Sequence, residues 1–535
     1  MITVQSAAAA VVAGHTTLGV ELGSTNIKAC LVGPGAATLA VGSHTWENQF
    51  VDRVWTYSLD AVREGLAGAF AALGADVRQR YGVPLTTVGA LGVSAMMHGY
   101  LAFDADDRLL VPFRTWRNTS TGPAAAELTA ALGFNVPLRW SAAHLYQAVL
   151  DGEEHVGQIA HLTTLAGYVH WLLTGERVLG VGDASGMFPI DPATGSYDGA
   201  MLATFDGLAA GHGFATPLRA LLPDVLPAGA TAGHLTPAGA ALLDPTGTLA
   251  AGVPLCPPEG DAGTGMVATN AVAPRTGNVS AGTSIFAMVV LERALAQVHE
   301  EIDVVTTPAG DPVAMVHCNN GSSELGAWAG VFGEFATAIG SDVGDDAVFA
   351  ALLAAALEGE PDGGGVLAYN YLSGETITGL DEGRPLVVRT PGSRLTLANF
   401  ARTQVYSIFG TLALGMRTLA AEGVAVDSLL AHGGLFRTQG VAQSLLAAAV
   451  RAPVAVASTA GEGGSWGIAV LAAYTAAVAA GETRPLAAWL DEQVFADAQT
   501  VVAQPDPRDV AGLEAYLETY SAGLAIQRAA VGAIH

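Results

Sequence analysis

Two stretches of the chain, about half its length apart, carry the same device. Residues 18–33 read LGVELGSTNIKACLVG, and residues 277–292 read GNVSAGTSIFAMVVLE. With Gly23 aligned on Gly282, Ser24 and Thr25 meet Thr283 and Ser284. The runs that follow, 27–32 and 285–291, are rich in apolar and β-branched residues. Each stretch reads as strand, tight turn, strand. A 535-residue chain that opens both halves with one hairpin is expected to fold as two similar α/β domains, 1–272 and 273–535.

The hairpin tips suit phosphate. Glycine allows a tight turn and a close ligand approach. Successive N–H groups and paired hydroxyls form an anion-binding concavity. Gly23, Ser24, Thr25 and Asn26 in the first tip, and Gly282, Thr283 and Ser284 in the second, are therefore candidate phosphate-binding residues. Lys28, one of few lysines, follows the first tip. No G-x-x-x-x-G-K-[ST] occurs, so the P-loop route to a nucleotide is closed.

Charge narrows the function further. Acidic residues outnumber basic ones by 49 to 23, and no Lys/Arg run offers a nucleic-acid footprint. With cations scarce, an anion here must be held by backbone N–H groups, helix N-termini and a metal ion. Cys30, Cys256 and Cys318 lie far apart in sequence and match neither a zinc site nor a disulfide framework, which points to a reducing, cytoplasmic setting. The longest apolar stretches are too short and too Ala-rich to span a bilayer. Residues 1–15, MITVQSAAAAVVAGH, lack the basic segment of a signal peptide and read as a disordered or poorly packed leader.

Other segments carry chemistry-bearing residues. Residues 88–103, VGALGVSAMMHGYLAF, read as strand, break, strand, with Met97, His98 and Gly99 at the break. The loop PPEGDAGTG at 257–265 carries Glu259 and Asp261, ahead of a helix expected from about 264 to 272. Asp261, flanked by glycines, fits a base that substrate approaches closely; as an isolated residue it fits an Asx turn or helix cap as well. Asp183 in GDASG reads as structural. Val405, Ile408, Phe409, Leu412, Met416 and Leu419 fall on one helical face that Gly423 ends. A strand at 428–431 then breaks at His432-Gly433-Gly434 before a helix at 441–450, a connection that cradles nucleotides. A glycine cluster, 461–467, opens a further helix. The string Gly263-Thr264-Gly265-Met266-Val267-Ala268 matches a dinucleotide fingerprint, but Pro257-Pro258 precedes it where a strand is required.

Taken in order, ELGSTNIK, GVSAMMHG, EGDAGTG, SAGTSIF, and HGGLFRTQGVAQ with GEGGSWG resemble the motifs of the FGGY carbohydrate kinases, within the actin, hexokinase and Hsp70 ATPase superfamily. The resemblance runs from about residue 18 to about residue 480. It implies two actin-like (ribonuclease H-like) domains with a central cleft that closes on sugar, ATP and Mg²⁺. It implies Asp261 as catalytic base, with Glu21 and Asp261 holding the metal and Gly433 and Gly434 holding adenosine. Met97, His98, Trp116, Arg117 and Asp261 would contact the sugar, with Asn118 in reach. The Met97-His98-Gly99 motif resembles the xylulose kinases, so a ketopentose is the leading acceptor. Glycerol, ribulose and deoxyketohexose remain open, as does a non-kinase ATPase or sensor. The partner implied is a small sugar, with no nucleic acid or membrane and with room for a homodimer. Three departures stand out: Glu21 replaces the usual Asp, Trp116-Arg117-Asn118 replaces Trp-Asn-Asp, and Ala262 follows Asp261 in a loop that commonly reads Gly-Gly-x-Asp-Asn.

Overall fold

The computed structural model describes residues 3–341, 343–436, 438, 440–457 and 463–534. Arg437 and Gln439 of the adenosine segment, and Gly461 and Glu462 of the second glycine cluster, lie outside the described residues. The chain divides into two compact units. One comprises Met1–Val272, Val304–Val313 and Ala460–Asp497; the other comprises Ala273–Asp303, Ala314–Thr459 and Ala498–His535.

The first unit opens with a helix, α1 (Val4–Val12), in place of the expected disordered or poorly packed leader. The Thr3 hydroxyl accepts the Ser6 N–H as its cap, and the alanine run favours the helix. Ala7 and Val11 enter the core, which is what orders the segment. Strands β1 (Thr17–Leu22), β2 (Asn26–Val32) and β3 (Thr38–Thr45) form an antiparallel meander. Helix α2 (Leu59–Tyr81) covers it, burying Val62, Leu66, Ala69, Phe70, Leu73 and Val77. Strand β4 (Ala90–Ala95) joins β1 in parallel, and β5 (Glu259–Gly260) joins β4 in parallel. The sheet order is β5-β4-β1-β2-β3. Helix α3 (Asp261–Ala268) follows β5 directly. It begins three residues before the expected start, with Gly260 at its cap and the Asp261 carboxylate in its first turn, where negative charge is favoured. The late helix Gly463–Ala479 lies on β1 and β4. It comes so close that a Cβ at Gly19 would stand 2.0 Å from the Ser465 carbonyl oxygen, so glycine is required there.

The second unit repeats the plan. Its sheet comprises β6 (Thr276–Ala281), β7 (Ile285–Val290), β8 (Ile302–Thr306), β9 (Pro312–Cys318), β10 (Ser428–His432), β11 (Val454–Ala457) and β12 (Thr500–Ala503), the end of β8 and the start of β9 falling in the Val304–Val313 segment assigned to the first unit. Their order is β8-β9-β7-β6-β10-β11-β12. The hairpin β6–β7 is antiparallel, and β10 and β11 continue in parallel from β6. The five strands β9-β7-β6-β10-β11 therefore reproduce β3-β2-β1-β4-β5, and the repeated hairpin occupies the same place in both sheets. Helix α4 (Ser323–Ala338) follows β9. Helix α5 (Leu397–Ala421) is buried along most of its length, with the six residues of its expected apolar face inside the core. It ends at Gly423, whose φ is +79°. Helix α6 (Val441–Val450) begins nine residues after β10.

Candidate active site

Sheet register collects polar side chains into one row. Lys28 on β2 stands opposite Glu21 on β1, Glu21 opposite Ser94 on β4, and Ser94 opposite Glu259 on β5. Residues directly opposite in a sheet share a face, so the row Lys28–Glu21–Ser94–Glu259 lines one side, and Asp261 emerges beyond its end. Buried Ser94 shares a 3.0 Å hydrogen bond with Thr264 in the first turn of α3. Glu21 Oε2 accepts the Ser465 N–H at 3.1 Å, near the start of the Gly463–Ala479 helix. Burial pushes the Glu21 carboxyl up, the charge of Asp261 pushes it further, and Lys28 and the Ser465 N–H oppose both; the result is about 7.

Asp261 is open to solvent at its edge, although protein crowds it from most directions. Its Oδ1 accepts two backbone N–H groups, from Met97 at 3.1 Å and from Ala262 at 3.0 Å. Desolvation raises its pKa, while these donors and the positive charge of Arg139 pull it down, for a net upward shift. A raised pKa strengthens a proton acceptor. Met97 and His98 lie immediately beyond β4. His98 has φ +72°, a left-handed conformation that is uncommon for a residue with a side chain. Its ring is buried, stacks beside Trp140 at 6.4 Å, and places Nδ1 3.2 Å from the Gly186 carbonyl oxygen. Burial, helped by Arg139, holds its pKa well below the ordinary value, so the imidazole is neutral. Its single proton sits on Nδ1 and is donated to Gly186, which leaves Nε2 as a hydrogen-bond acceptor.

Both hairpin tips are braced from behind. The Gly23 carbonyl accepts the Trp46 indole N–H at 2.8 Å, and the Ser24 carbonyl accepts the Tyr57 hydroxyl at 2.7 Å. Trp46 and Tyr57 stack with centroids 4.1 Å apart. Asn26 accepts the Thr45 hydroxyl and donates to the Thr25 hydroxyl oxygen. In the second unit, the Thr283 carbonyl accepts the Gly321 N–H at 2.7 Å, and the Gly282 carbonyl accepts both the N–H and the hydroxyl of Ser322. Asn320 locks that brace, accepting from Leu372 and Ser373 and donating to Glu375. Ser24, Thr25, Gly282 and Thr283 stay exposed. A Cβ on Gly282 would meet nothing nearer than 4.0 Å, so its tip has open space around it. Gly433, at φ +113°, passes so close to Ala281 that a Cβ would lie 2.2 Å from that carbonyl oxygen. The strand break at β10 is thereby held against the second tip, and Gly434 beside it is open on its Cβ side.

Register and backbone contact tie Glu21, Met97, His98 and Asp261 together within the first unit. Trp116 and Arg117 belong to a neighbouring cluster. The Arg117 guanidinium lies 4.4 Å over Trp55, and its charge acts on Tyr57, which holds the first tip. Trp116 is 40% exposed and so does not plug the core. Asn118 is committed, accepting the Trp55 N–H and donating to the Trp55 and Thr115 carbonyls. Sequence reasoning missed Ser465, Trp46, Tyr57, Asn320 and Ser322 because each acts on a residue remote in sequence. Only the Asn320-Gly321 turn gave a local signal.

Residues 16–267 match the model of the N-terminal domain of the FGGY family of carbohydrate kinases, and residues 277–476 match the model of its C-terminal domain. The chain belongs to the FGGY family of carbohydrate kinases. These enzymes are phosphotransferases with an alcohol acceptor and use ATP. Solved FGGY structures share the fold at low identity. The xylulose kinase from Rhodospirillum rubrum superposes with a TM-score of 0.76 at 21% identity, covering 96% of this chain and 98% of that one. The gluconate kinase from Lactobacillus acidophilus gives 0.75 at 16%, covering 95% and 98%. The glycerol kinase of Plasmodium falciparum with ADP gives 0.73 at 13%, covering 96% and 98%. Among the described residues, no helix is long and apolar enough to cross a membrane, and no three His, Cys, Asp or Glu side chains cluster as a metal cage. The donor set fits Mg²⁺ nonetheless. That ion takes one or two carboxylates, phosphate oxygens and water rather than a cage, and Glu21 and Asp261 are two carboxylates close enough for the charge of Asp261 to raise the proton affinity of Glu21.

Proposed function

We propose that this FGGY kinase transfers the γ-phosphoryl group of ATP to a hydroxyl of a ketopentose such as xylulose, with Asp261 as general base. The observation that carries the reading is the pair of N–H groups on Asp261 Oδ1. They fix Oδ1 and leave Oδ2 as the oxygen to take a hydroxyl proton. The loose transition state of phosphoryl transfer asks chiefly for positioning and charge stabilisation. Asp261 takes the hydroxyl proton as the oxygen closes on phosphorus. His98 Nε2 accepts from another sugar hydroxyl, and the Met97 side chain packs on the apolar face of the acceptor. Trp116 and Arg117 are proposed to bound the acceptor site. The tips Gly23–Asn26 and Gly282–Ser284, with Lys28, hold phosphate oxygens, and Gly433 and Gly434 receive the adenosine. Glu21 and Asp261 would hold Mg²⁺, which when bound neutralises phosphate charge.

The ketopentose preference rests on Met97-His98-Gly99 and is supported by the xylulose kinases among the structural relatives. A coupled ADP-release assay over D-xylulose, D-ribulose, a deoxyketohexose, glycerol and gluconate tests it. The highest kcat/KM is expected with D-xylulose. A tenfold preference for a non-ketose would overturn that assignment, and ADP release equal with and without acceptor would favour an ATPase. A cytoplasmic location belongs to the same reading.

A further inference from the structure

In the loop that commonly reads Gly-Gly-x-Asp-Asn in the family, the position two before the aspartate is glycine; here it is Glu259. The side chain is 1% exposed. Its Oε2 accepts the Asp183 N–H at 2.9 Å, and its Oε1 accepts the Gly182 N–H at 3.3 Å. Glycines wall the carboxylate in. A Cβ would stand 2.1 Å from Oε1 at Gly180, 2.3 Å from Oε2 at Gly182 and 3.3 Å from Oε2 at Gly263. A glutamate fits beside Asp261 because these three positions carry no side chain.

The turn that grips Glu259, residues 180–186, is tied at every level. The buried Asp183 side chain accepts the Thr164 hydroxyl at 2.6 Å, and the Ser185 hydroxyl donates to the Gly182 carbonyl at 2.6 Å. Thr306 donates its N–H to the Ser185 oxygen and its hydroxyl to the Val181 carbonyl. At its far end, the Gly186 carbonyl accepts from His98. A Cβ on Gly186 would lie 2.7 Å from His98 Nδ1 and 2.8 Å from Met97 Cε. One turn thus supports Asp261 from two sides. It holds Glu259, two residues before the base, and it holds His98, next to the residue whose N–H donates to the base.

We propose that the 180–186 turn is the frame that sets base and acceptor, with Glu259 positioning Asp261 and Gly186 positioning Met97 and His98. The inference rests on Asp261 being the base. The two ends of the turn should therefore separate in kinetics. Glu259→Gln keeps the shape but offers one acceptor to two N–H groups, and turns its amide NH₂ against the other. Displacing a catalytic group by about 1 Å costs up to about 10²-fold, so kcat is expected to fall at least about tenfold, with the acceptor KM changing less than about twofold. Gly186→Ala pushes on the acceptor side instead, and should raise KM about tenfold with a smaller loss of kcat.

The assay is steady-state ADP release with ATP, Mg²⁺ and the panel acceptor that wild type uses best, on protein whose melting curve shows it folded. Wild-type kcat in Glu259→Gln, or the same mixed loss in both variants, overturns the proposal. If Glu259→Gln does not fold, Gly182→Ala carries the test, since its methyl presses the same carboxylate while every polar group stays. Wild-type turnover in Asp261→Asn would overturn the underlying reading of the base, whatever the Glu259 variant does.

Discussion

Glu21 offers a stability measurement that needs no knowledge of the acceptor. Its carboxyl rises from 4.5 to about 7 in the folded chain, chiefly through burial and then through the charge of Asp261. Folding therefore favours the protonated form. The associated stability is fully present below about pH 4.5, is lost as pH climbs toward about 7, and stays lost above it. Each tenfold gain in proton affinity is worth about 1.4 kcal/mol, so the loss approaches about 3 kcal/mol. With an unfolding entropy of about 2.1 cal/mol/K per residue, a chain of 535 residues unfolding together would drop in Tm by about 3 °C. Asp183 and Glu375 are also raised to about 7 and titrate in the same window. The quantity to measure is thus a difference: the Tm change between pH 5 and pH 8 in wild type, set against the same change in Glu21→Gln. Between pH 5 and pH 8 about 2.5 kcal/mol of this is lost, so by scanning fluorimetry without metal the variant should lose about 2 °C less. Mg²⁺ added at pH 8 should raise the wild-type Tm more than that of the variant. Parallel Tm–pH curves for the two proteins would refute the assignment of Glu21 as a partly buried carboxyl group raised by its surroundings and by Asp261.

Two further substitutions address the reaction directly. Asp261→Asn keeps the shape but removes the proton acceptor, so kcat should fall at least about 10²-fold while ATP still binds by calorimetry; near-normal turnover would exclude the base. Gly282→Val places a branched side chain where phosphate must approach the backbone, so ATP affinity should drop by at least about tenfold with acceptor binding retained; an unchanged nucleotide Kd would make the second hairpin a purely structural echo.

What is legible in the sequence is what repeats locally. The hairpin LGVELGSTNIKACLVG and its counterpart appear in the structure as β1–β2 and β6–β7, central in sheets of matching order. The apolar face from Val405 to Leu419 lies in the core, although α5 is buried on its other faces as well. The leader misleads because absence of a signal-peptide pattern says nothing about helix propensity, and Thr3 with its alanine run supplies both cap and core contacts. The start of α3 falls earlier than expected because the glycines of 260–265 read as loop, whereas the first turn of a helix tolerates them and favours the Asp261 charge.

The remainder is hidden because the site is built across strands rather than along them. Lys28, Glu21, Ser94 and Glu259 have no spacing in common; only the register of four strands makes them one row. Backbone groups do most of the orienting: the Met97 and Ala262 N–H groups on Asp261, the Ser465 N–H on Glu21, the Gly182 and Asp183 N–H groups on Glu259. A backbone donor leaves no residue-type signature. What it leaves is a glycine where the carboxylate comes too close for a side chain, as at Gly180, Gly182 and Gly464. A Cβ at Gly464 would stand 2.3 Å from Glu21 Oε1, just as one at Gly182 would stand 2.3 Å from Glu259 Oε2. Each unusual glutamate in this chain therefore comes with a compensating glycine far away in sequence. The departure at Glu21 and the glutamate at position 259 are then the same physical event: a glutamate reaching backbone N–H groups through space that a distant glycine leaves open.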